Sequence, residues 1–471
     1  MRLADLRRGL RPMKMSLAEI AQAIQAHNQV DQWGDIEVRS VAFDSRNLEA
    51  GGLFVPLKGE QDGHQYVAKA FENGAKATLW AKDHPYDPAD GYPRLVVDDP
   101  LEALQQLGKY YLNKINPVVV AVTGSNGKTT TKDMVASILA TQMNVIKTYA
   151  NFNNEIGVPV TLLNMEANTE AVVVEMGMDR FGQLDLLSRL TTPDIAVVTM
   201  IGEAHIEFFG SRDKIADAKM EITHGLAEDG TFVYDGDEPL LRERAAKLSQ
   251  QTKTFGRQLD DDLYATSVNP DVDHVSFTVN QWPDEVFTIP LVGEYNVNNA
   301  LAAMTVGNLM HVTPANMKQA LQNVELTENR SEWVAGANGE RILSDVYNSN
   351  PTAVKEVLAT LATIPVAGKR VAVLGDMLEL GEASARLHAG LCDAIMNGHL
   401  DEVYLIGGEM GALKDALLKA GYPTGQLHYY QAAQRKALTD ALQASLTTGD
   451  VVLLKASHGL HLERVLAQLE K

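Results

Sequence analysis

The sequence predicts an α/β protein of three lobes, each built on a parallel or mostly parallel sheet. Three observations carry that prediction. At 471 residues the chain is too long for one hydrophobic core, given the usual ~100–200 residues per domain. Short runs of valine, isoleucine and leucine recur along it and end in glycine or polar residues, with helical spacing between them; that alternation gives parallel strands covered by helices. One run breaks directly into a glycine loop and a helical pattern, Pro117-Val-Val-Val-Ala-Val-Thr-Gly-Ser-Asn-Gly-Lys-Thr-Thr-Thr131. Boundaries are expected near Pro100 and Arg330, giving domains 1–100, 101–329 and 330–471.

In the first lobe, Leu17, Ile20, Ala21 and Ile24 have helical spacing, and Val38, Val41 and Phe43 lead to a polar stop at Asp44-Ser45-Arg46. A strand over 52–57, the loop Lys58-Gly-Glu-Gln-Asp-Gly-His64 and a helix through Phe71 closed by Asn73-Gly74 complete a small α/β unit. Arg46, Lys58 and His64 stand at strand ends, where they either grip an anionic ligand or are solvated turn residues. After the strand ending at Asp98, Leu101, Leu104, Leu107 and Tyr111 mark a helix leading into the central lobe.

There, a strand over 118–122 delivers Gly124 and Gly127 to a tight turn whose backbone N–H groups point outward to hold polyphosphate. The loop Gly124-Ser125-Asn126-Gly127-Lys128-Thr129-Thr130 is therefore the expected ATP site. A helix from Thr129 adds the positive end of its dipole, Lys128 adds a full charge, and the Thr129 hydroxyl is a ligand for Mg²⁺. The position five before Gly127 is Val122, so this G-x-x-G-K-T-T loop is shorter than the common G-x-x-x-x-G-K-[ST] form. The lobe reads as P-loop ATPase-like, with helices on both faces of its sheet. Ala171-Val-Val-Val-Glu175 ends on a carboxylate where a nucleotide site needs an oxygen ligand for Mg²⁺. A second strand, Ile195-Ala-Val-Val-Thr-Met200, precedes Gly202-Glu-Ala-His205 and puts His205 at the same edge. Asn151-Phe-Asn153-Asn154-Glu-Ile-Gly157 offers amides for a ligand's carbonyls and hydroxyls, or a capping loop. Lys219 lies in a helical stretch over 214–226, where lysines are ordinarily solvated. Asn296 and Asn299 either cap the helix after Gly293 or meet a purine's polar edge.

The third lobe opens after Arg330. Its strands Arg341-Ile-Leu-Ser-Asp345, Arg370-Val-Ala-Val-Leu-Gly-Asp376, Asp401-Glu-Val-Tyr-Leu-Ile-Gly-Gly408 and Asp450-Val-Val-Leu-Leu-Lys455 alternate with helices in a Rossmann-like layout. No G-x-G-x-x-G opens it, so a dinucleotide is not expected.

Totals narrow the function further. Forty-one basic against sixty-one acidic residues give a net charge of -20, which disfavours nucleic acid and anionic membranes as partners, so any phosphate must be met locally. The single Cys392 excludes an internal disulfide and suits a reducing compartment, and no run resembles an apolar span of about 18 residues, so a cytoplasmic protein without an integral membrane segment is expected. The basic start, residues 1–12, lacks the apolar core of a signal peptide and reads as an extension before Met13 or Met15.

Taken together, Asp44-Ser-Arg46, Leu57-Lys-Gly-Glu60 with Asp62-Gly-His64, Asn153-Asn-Glu-Ile-Gly157, Asp345-Val-Tyr347-Asn348-Ser-Asn350 and Gly375-Asp-Met-Leu-Glu-Leu-Gly381 resemble the muramyl ligase family, ATP-dependent amide-bond formers of peptidoglycan assembly. The likeness runs from about Ser16 to the end. Among its members, the motifs look like the one that adds D-alanyl-D-alanine to UDP-N-acetylmuramoyl-tripeptide. The resemblance implies Lys128 on the β- and γ-phosphates, Thr129 and Glu175 on one Mg²⁺, His205 on a second, and a carbamylated Lys219 directed toward that metal. It implies Asn296 or Asn299 at adenine, Arg330 and Asp345 at the γ-phosphate and ribose, Ser45 and Arg46 at the UDP end, and Asn153 and Asn154 at the muramyl peptide. Lys58, Tyr347 and Asn348 complete the expected substrate contacts. Two departures stand out: Tyr295 where many relatives have histidine, and Lys455-Ala-Ser-His-Gly459 in place of Lys-Gly-Ser-Arg-Gly. A monomer is expected, with the third lobe closing on the central one when ATP binds. The alternative within the family, addition of a diamino acid as the third residue, lacks its Asp-Asn-Pro signature here; a nucleotide-gated switch lacks Asn-Lys-x-Asp. Whether the third peptide residue is lysine or diaminopimelate is not legible.

Overall fold

The computed structural model describes residues 13–327 and 331–470. The expected extension 1–12 and Arg330 lie outside the described residues. Three sheets organise the chain, with a short antiparallel pair, Met15–Ser16 against Glu37–Val38, as an addition in the first lobe. The first-lobe sheet is parallel in the order Ser40–Ala42, Gly52–Phe54, Ala77–Ala81, Arg94–Val97. Its core merges with one face of the central sheet through the helix Pro100–Ile115, whose Leu104 and Leu107 are fully buried and whose Gly108 lets the helix Gly157–Leu163 approach at Pro159.

The central sheet has nine strands, in the order Phe287–Ile289, Val275–Val279, Leu263–Pro270, Gln251–Gly256, Thr231–Asp235, Ile195–Val198, Val118–Thr123, Ala171–Glu175, Val145–Lys147. It is parallel except at the hairpin edge formed by its first three members, an edge that sequence periodicity did not signal. Side chains of Val118–Thr123 alternate strictly: Val119 and Ala121 join the core shared with the first lobe, whereas Val120 and Val122 join a second core under the helices Lys128–Leu139 and Tyr295–Leu309. Such a strand must be apolar on both sides, which explains its unbroken valine run.

Chain order turns outward in both directions from Val118–Thr123, making that strand's carboxyl end the switch point where a crevice opens. The register sets Glu175 beside Val122 and Thr123 beside Val198, so three strand ends finish level.

The third lobe is a six-stranded sheet in the order Glu332–Ala335, Arg341–Asp345, Val451–Lys455, Arg370–Gly375, Glu402–Ile406, Leu427–Tyr430, with only the first strand antiparallel. Separate cores fill its two faces, one containing Leu343, Leu374 and Leu405, the other Ile342, Val373 and Ile406. Among the described residues no helix is long and apolar enough to cross a membrane.

Several element ends differ from expectation. The helix after the glycine loop begins at Lys128, because Gly127, at φ 78°, already occupies the cap position. The stretch around Lys219 is a helix Arg212–Met220, started by the Ser211 hydroxyl accepting from the Lys214 N–H, followed by a 3₁₀ turn Glu221–Thr223.

Candidate active site

A cavity of about 600 Å³ opens at the switch point and takes side chains from the central and third lobes. Its floor is the glycine loop. At φ 154° and 78°, Gly124 and Gly127 lie in backbone regions that favour glycine, and a Cβ there would stand 1.8 Å from Thr199 Oγ1 and 2.2 Å from Asn299 Oδ1. The loop is tied down by the Ser125 N–H to the Met200 carbonyl (3.0 Å) and by the Thr199 hydroxyl to the Asn126 carbonyl (2.5 Å). Lys128 folds over it, its Nζ donating to the Gly124 carbonyl at 2.8 Å.

Ser125, Asn126, Gly127, Lys128, Thr129, Thr130, Glu175, His205, Asn153, Asn154, Asn296 and Asn299 all line this cavity, as do Asp345, Tyr347 and Asn348 from the third lobe. Glu175 is 2 % exposed. Its Oε1 accepts from Asn153 Nδ2 at 2.8 Å, while Oε2 is buried with no hydrogen-bond partner. A buried carboxylate oxygen left unpaired is strongly disfavoured unless a cation completes it. The Thr129 hydroxyl and His205 line the same cavity as that unpaired oxygen, and oxygen and imidazole donors of this kind suit a hard divalent cation.

Asn296 and Asn299 do not cap their helix, whose cap position is Glu294. Asn296 Nδ2 donates to the Val292 carbonyl, Asn299 Nδ2 to Asn296 Oδ1, and the Thr131 hydroxyl to Asn299 Oδ1, a chain that stiffens the wall beside Gly127. Tyr295 packs into the same wall, its hydroxyl 3.0 Å from Ser331 Oγ; burial and the nearby Asp345 hold its phenol well above the usual range.

Lys219 is not among the lining side chains. It is fully enclosed, and desolvation together with the neighbouring Lys128 drives its amine well below the usual lysine range.

The third lobe is docked onto the loop. Asn350, which caps the helix Pro351–Thr363, exchanges side-chain hydrogen bonds with Asn126 (2.6 and 3.3 Å). Thr352 donates to Glu203 at 2.6 Å, and Asp345 is held at the cavity by Lys455 at 2.5 Å.

First-lobe candidates stand apart from the cavity lining. Arg46 is exposed and forked onto Asp44 (2.7 and 2.9 Å), Lys58 is exposed, and Ser45 is buried with its carbonyl accepting from Asn73. Phe43 meets Phe152, ring centres 6.0 Å apart, which sets this strand end against the asparagine loop. His64 does not stand free at its strand end: its ring is buried, with Asp62 at Nδ1 and the Ala81 N–H at Nε2.

The chain matches the Mur ligase middle domain over residues 122–307, the Mur ligase glutamate ligase domain over 329–458 and the Mur ligase family catalytic domain over 37–111. It is 40% identical over 459 residues to the UDP-N-acetylmuramoyl-tripeptide--D-alanyl-D-alanine ligase of Bacillus subtilis (strain 168), covering 97% of this chain and 98% of that one. The chain belongs to the Mur ligase family. Two solved structures resemble it throughout. A crystal structure of MurF from Acinetobacter baumannii has a TM-score of 0.87 at 29% identity, with 98% and 100% of the two chains covered. MurF ligase from Thermotoga maritima in complex with ADP has a TM-score of 0.79 at 28% identity, with 92% and 97% covered.

Sequence reasoning missed several residues that line the site of this Mur ligase: Thr199 and Asp235 at strand ends, Glu356 on the helix after Asn350, Glu379 and Lys455. Strand-end position was the available signal for Thr199, Asp235 and Lys455. Burial raises Glu356 to about 7, opposed by Lys455 and reinforced by Glu203 and Asp345. A carboxyl whose folded pKa exceeds its unfolded value disfavours the fold as pH rises from the unfolded to the folded pKa. Glu356→Gln should therefore raise the melting temperature at pH 8, by a stability gain on the order of 1 kcal/mol, and much less at pH 5. Thermal melts at the two pH values check this; equal shifts at both would refute it.

Proposed function

We propose that this Mur ligase uses ATP to join D-alanyl-D-alanine to UDP-N-acetylmuramoyl-tripeptide, giving the pentapeptide, ADP and phosphate in cytoplasmic peptidoglycan precursor synthesis. The observation that carries it is one cavity holding the phosphate loop, an unpaired buried carboxylate oxygen and Asp345 from a separate lobe. The likeness to the Bacillus subtilis ligase supports the choice of substrates.

A carboxylate is a poor acyl donor, so the tripeptide's terminal carboxylate attacks the γ-phosphorus and forms an acyl phosphate. The dipeptide amine then attacks the acyl carbon, and phosphate leaves through a tetrahedral intermediate. Backbone N–H groups of residues 124–130 cradle the phosphates, Lys128 swings from the Gly124 carbonyl onto the β- and γ-phosphates, and Arg330 offsets charge on the γ-phosphate. Thr129 and Glu175 would hold one Mg²⁺ and His205 a second; bound there, the cations neutralise charge on the transferring group. Burial and the neighbouring Lys128 shift Lys219 toward the neutral amine, the form that adds CO₂, and the resulting carbamate anion would belong beside those cations.

Asn296 or Asn299 meets adenine, and Asp345 the ribose. Asn153 and Asn154, with Tyr347 and Asn348, meet the peptide, while Ser45, Arg46 and Lys58 in residues 1–100 serve the UDP end. Residues 101–329 and 330–471 close around the acyl phosphate when ATP binds and keep water out, a reading supported by the Asn350–Asn126 and Thr352–Glu203 contacts between the two lobes, and a monomer suffices.

Phosphate release tests the reading. Turnover should require ATP, the UDP-tripeptide and D-alanyl-D-alanine together. Release at full rate without the dipeptide and peptide would refute ligation, and comparison of lysine- and diaminopimelate-containing tripeptides would identify the third residue.

A further inference from the structure

His205 and Glu379 lie 174 positions apart and on different lobes, yet His205 Nδ1 stands 2.5 Å from Glu379 Oε2. A second bond follows alongside, the Glu207 N–H donating to the Glu379 carbonyl at 3.1 Å, and Gly381 leaves just enough room for Glu207, whose Cγ would lie 3.1 Å from an added Cβ. Both residues adopt left-handed backbone, φ 65° for His205 and 63° for Glu379. That conformation is uncommon outside glycine and is retained where surrounding structure and function hold it.

Charge attraction alone does not account for the contact. The side chains are 23% and 46% exposed, and an ion pair so open to water contributes little, about 0–1 kcal/mol. What the geometry does decide is the imidazole's tautomer. A carboxylate at Nδ1 keeps the proton there, leaving Nε2 as the lone pair of a side chain that lines the cavity. Carboxylates that hold the far nitrogen of a metal-binding histidine in this way commonly set its orientation and basicity.

We propose that Glu379 is a positioning residue for His205, and that docking of the third lobe completes the second metal site by fixing that ring. The inference rests on the reading of His205 as a metal ligand. Metal binding and lobe closure thereby become one equilibrium: each bound cation favours the docked form, and the docked form favours the cation.

Mn²⁺ titration by EPR, with full-length protein and a non-hydrolysable ATP analogue, tests it. Wild type should take up two Mn²⁺. H205A should lose the second. E379A should bind the second about 10–100-fold more weakly with the first unchanged, and E379Q should fall between, because its amide oxygen still accepts from Nδ1–H. Should E379A melt well below wild type, E379Q carries the comparison. If H205A loses the second ion but both Glu379 variants bind it as wild type does, the positioning role is wrong and the ligand role stands. If H205A keeps both ions, the ligand role itself fails. Equal weakening of both ions in the Glu379 variants would also overturn the proposal, since it would mark a general loosening of the docked lobes.

Discussion

Lys128→Ala is expected to lower phosphate release and dipeptide ligation together by about 10³-fold, a loss of roughly 4 kcal/mol of transition-state stabilisation. The argument is electrostatic. A γ-phosphoryl group in transfer spreads negative charge over its oxygens, and backbone N–H groups offer only partial charges. Lys128 is the full charge of the loop itself, and at rest its Nζ is stored 2.8 Å from the Gly124 carbonyl, a neutral acceptor from which it can be drawn by phosphate. The same substitution removes the cation that acts on Lys219. Nucleotide affinity should fall less than kcat, because the backbone cradle of Gly124 to Thr130 remains. Steady-state kinetics with both substrates saturating checks this; an undiminished kcat would overturn the role of Lys128.

The parts of this site that were legible in the sequence are those written in local pattern. A valine run buried on two faces, two glycines three apart and a following Lys-Thr define strand, turn and helix within fifteen residues, and the structure places them accordingly. Glu175 was legible because it ends a similar run. Lys219 was not. Its helix has little amphipathic contrast, so nothing local says that this lysine, rather than Lys214 five positions earlier, is the enclosed one. Only the family resemblance singled it out, and the structure shows that it is the buried one.

Residues meeting across lobes were beyond reading for another cause: Glu379 finds His205, and Asn350 finds Asn126. No periodicity links positions so far apart. His64 shows the opposite error, since a polar residue at a strand end can be consumed by the fold, here by Asp62 and the Ala81 N–H. The motif around Gly375 divides in the same way. Asp376 is 7% exposed and anchors the Met410 N–H at the start of the helix Met410–Lys419, whereas Glu379 reaches the cavity.

Lys219→Met should produce an inactive enzyme that is more stable than the original. An enclosed amine beside Lys128 is harder to protonate in the fold than in the unfolded chain, and a lysine whose folded pKa lies below its unfolded value disfavours the fold at all pH below the unfolded value. Methionine fills similar volume without that penalty, so the melting temperature should rise by a few degrees, as expected when a destabilised functional group is removed. Activity should fall at least 10²-fold, the usual effect of losing one charged group at such a centre. The proposed carbamylation of Lys219 predicts that the wild-type enzyme depends on dissolved CO₂: protein stripped of it should lose turnover and regain it with ¹³CO₂, with a carbamate carbon visible by NMR, while Lys219→Met responds to neither treatment. Because the carbamate is an anion, adding CO₂ should also narrow the gap in melting temperature between the two proteins. Full turnover in CO₂-depleted buffer with no carbamate signal would mean that the neutral amine serves in its own right, and Lys219→Met would then still be inactive, so the two accounts separate on CO₂ dependence alone.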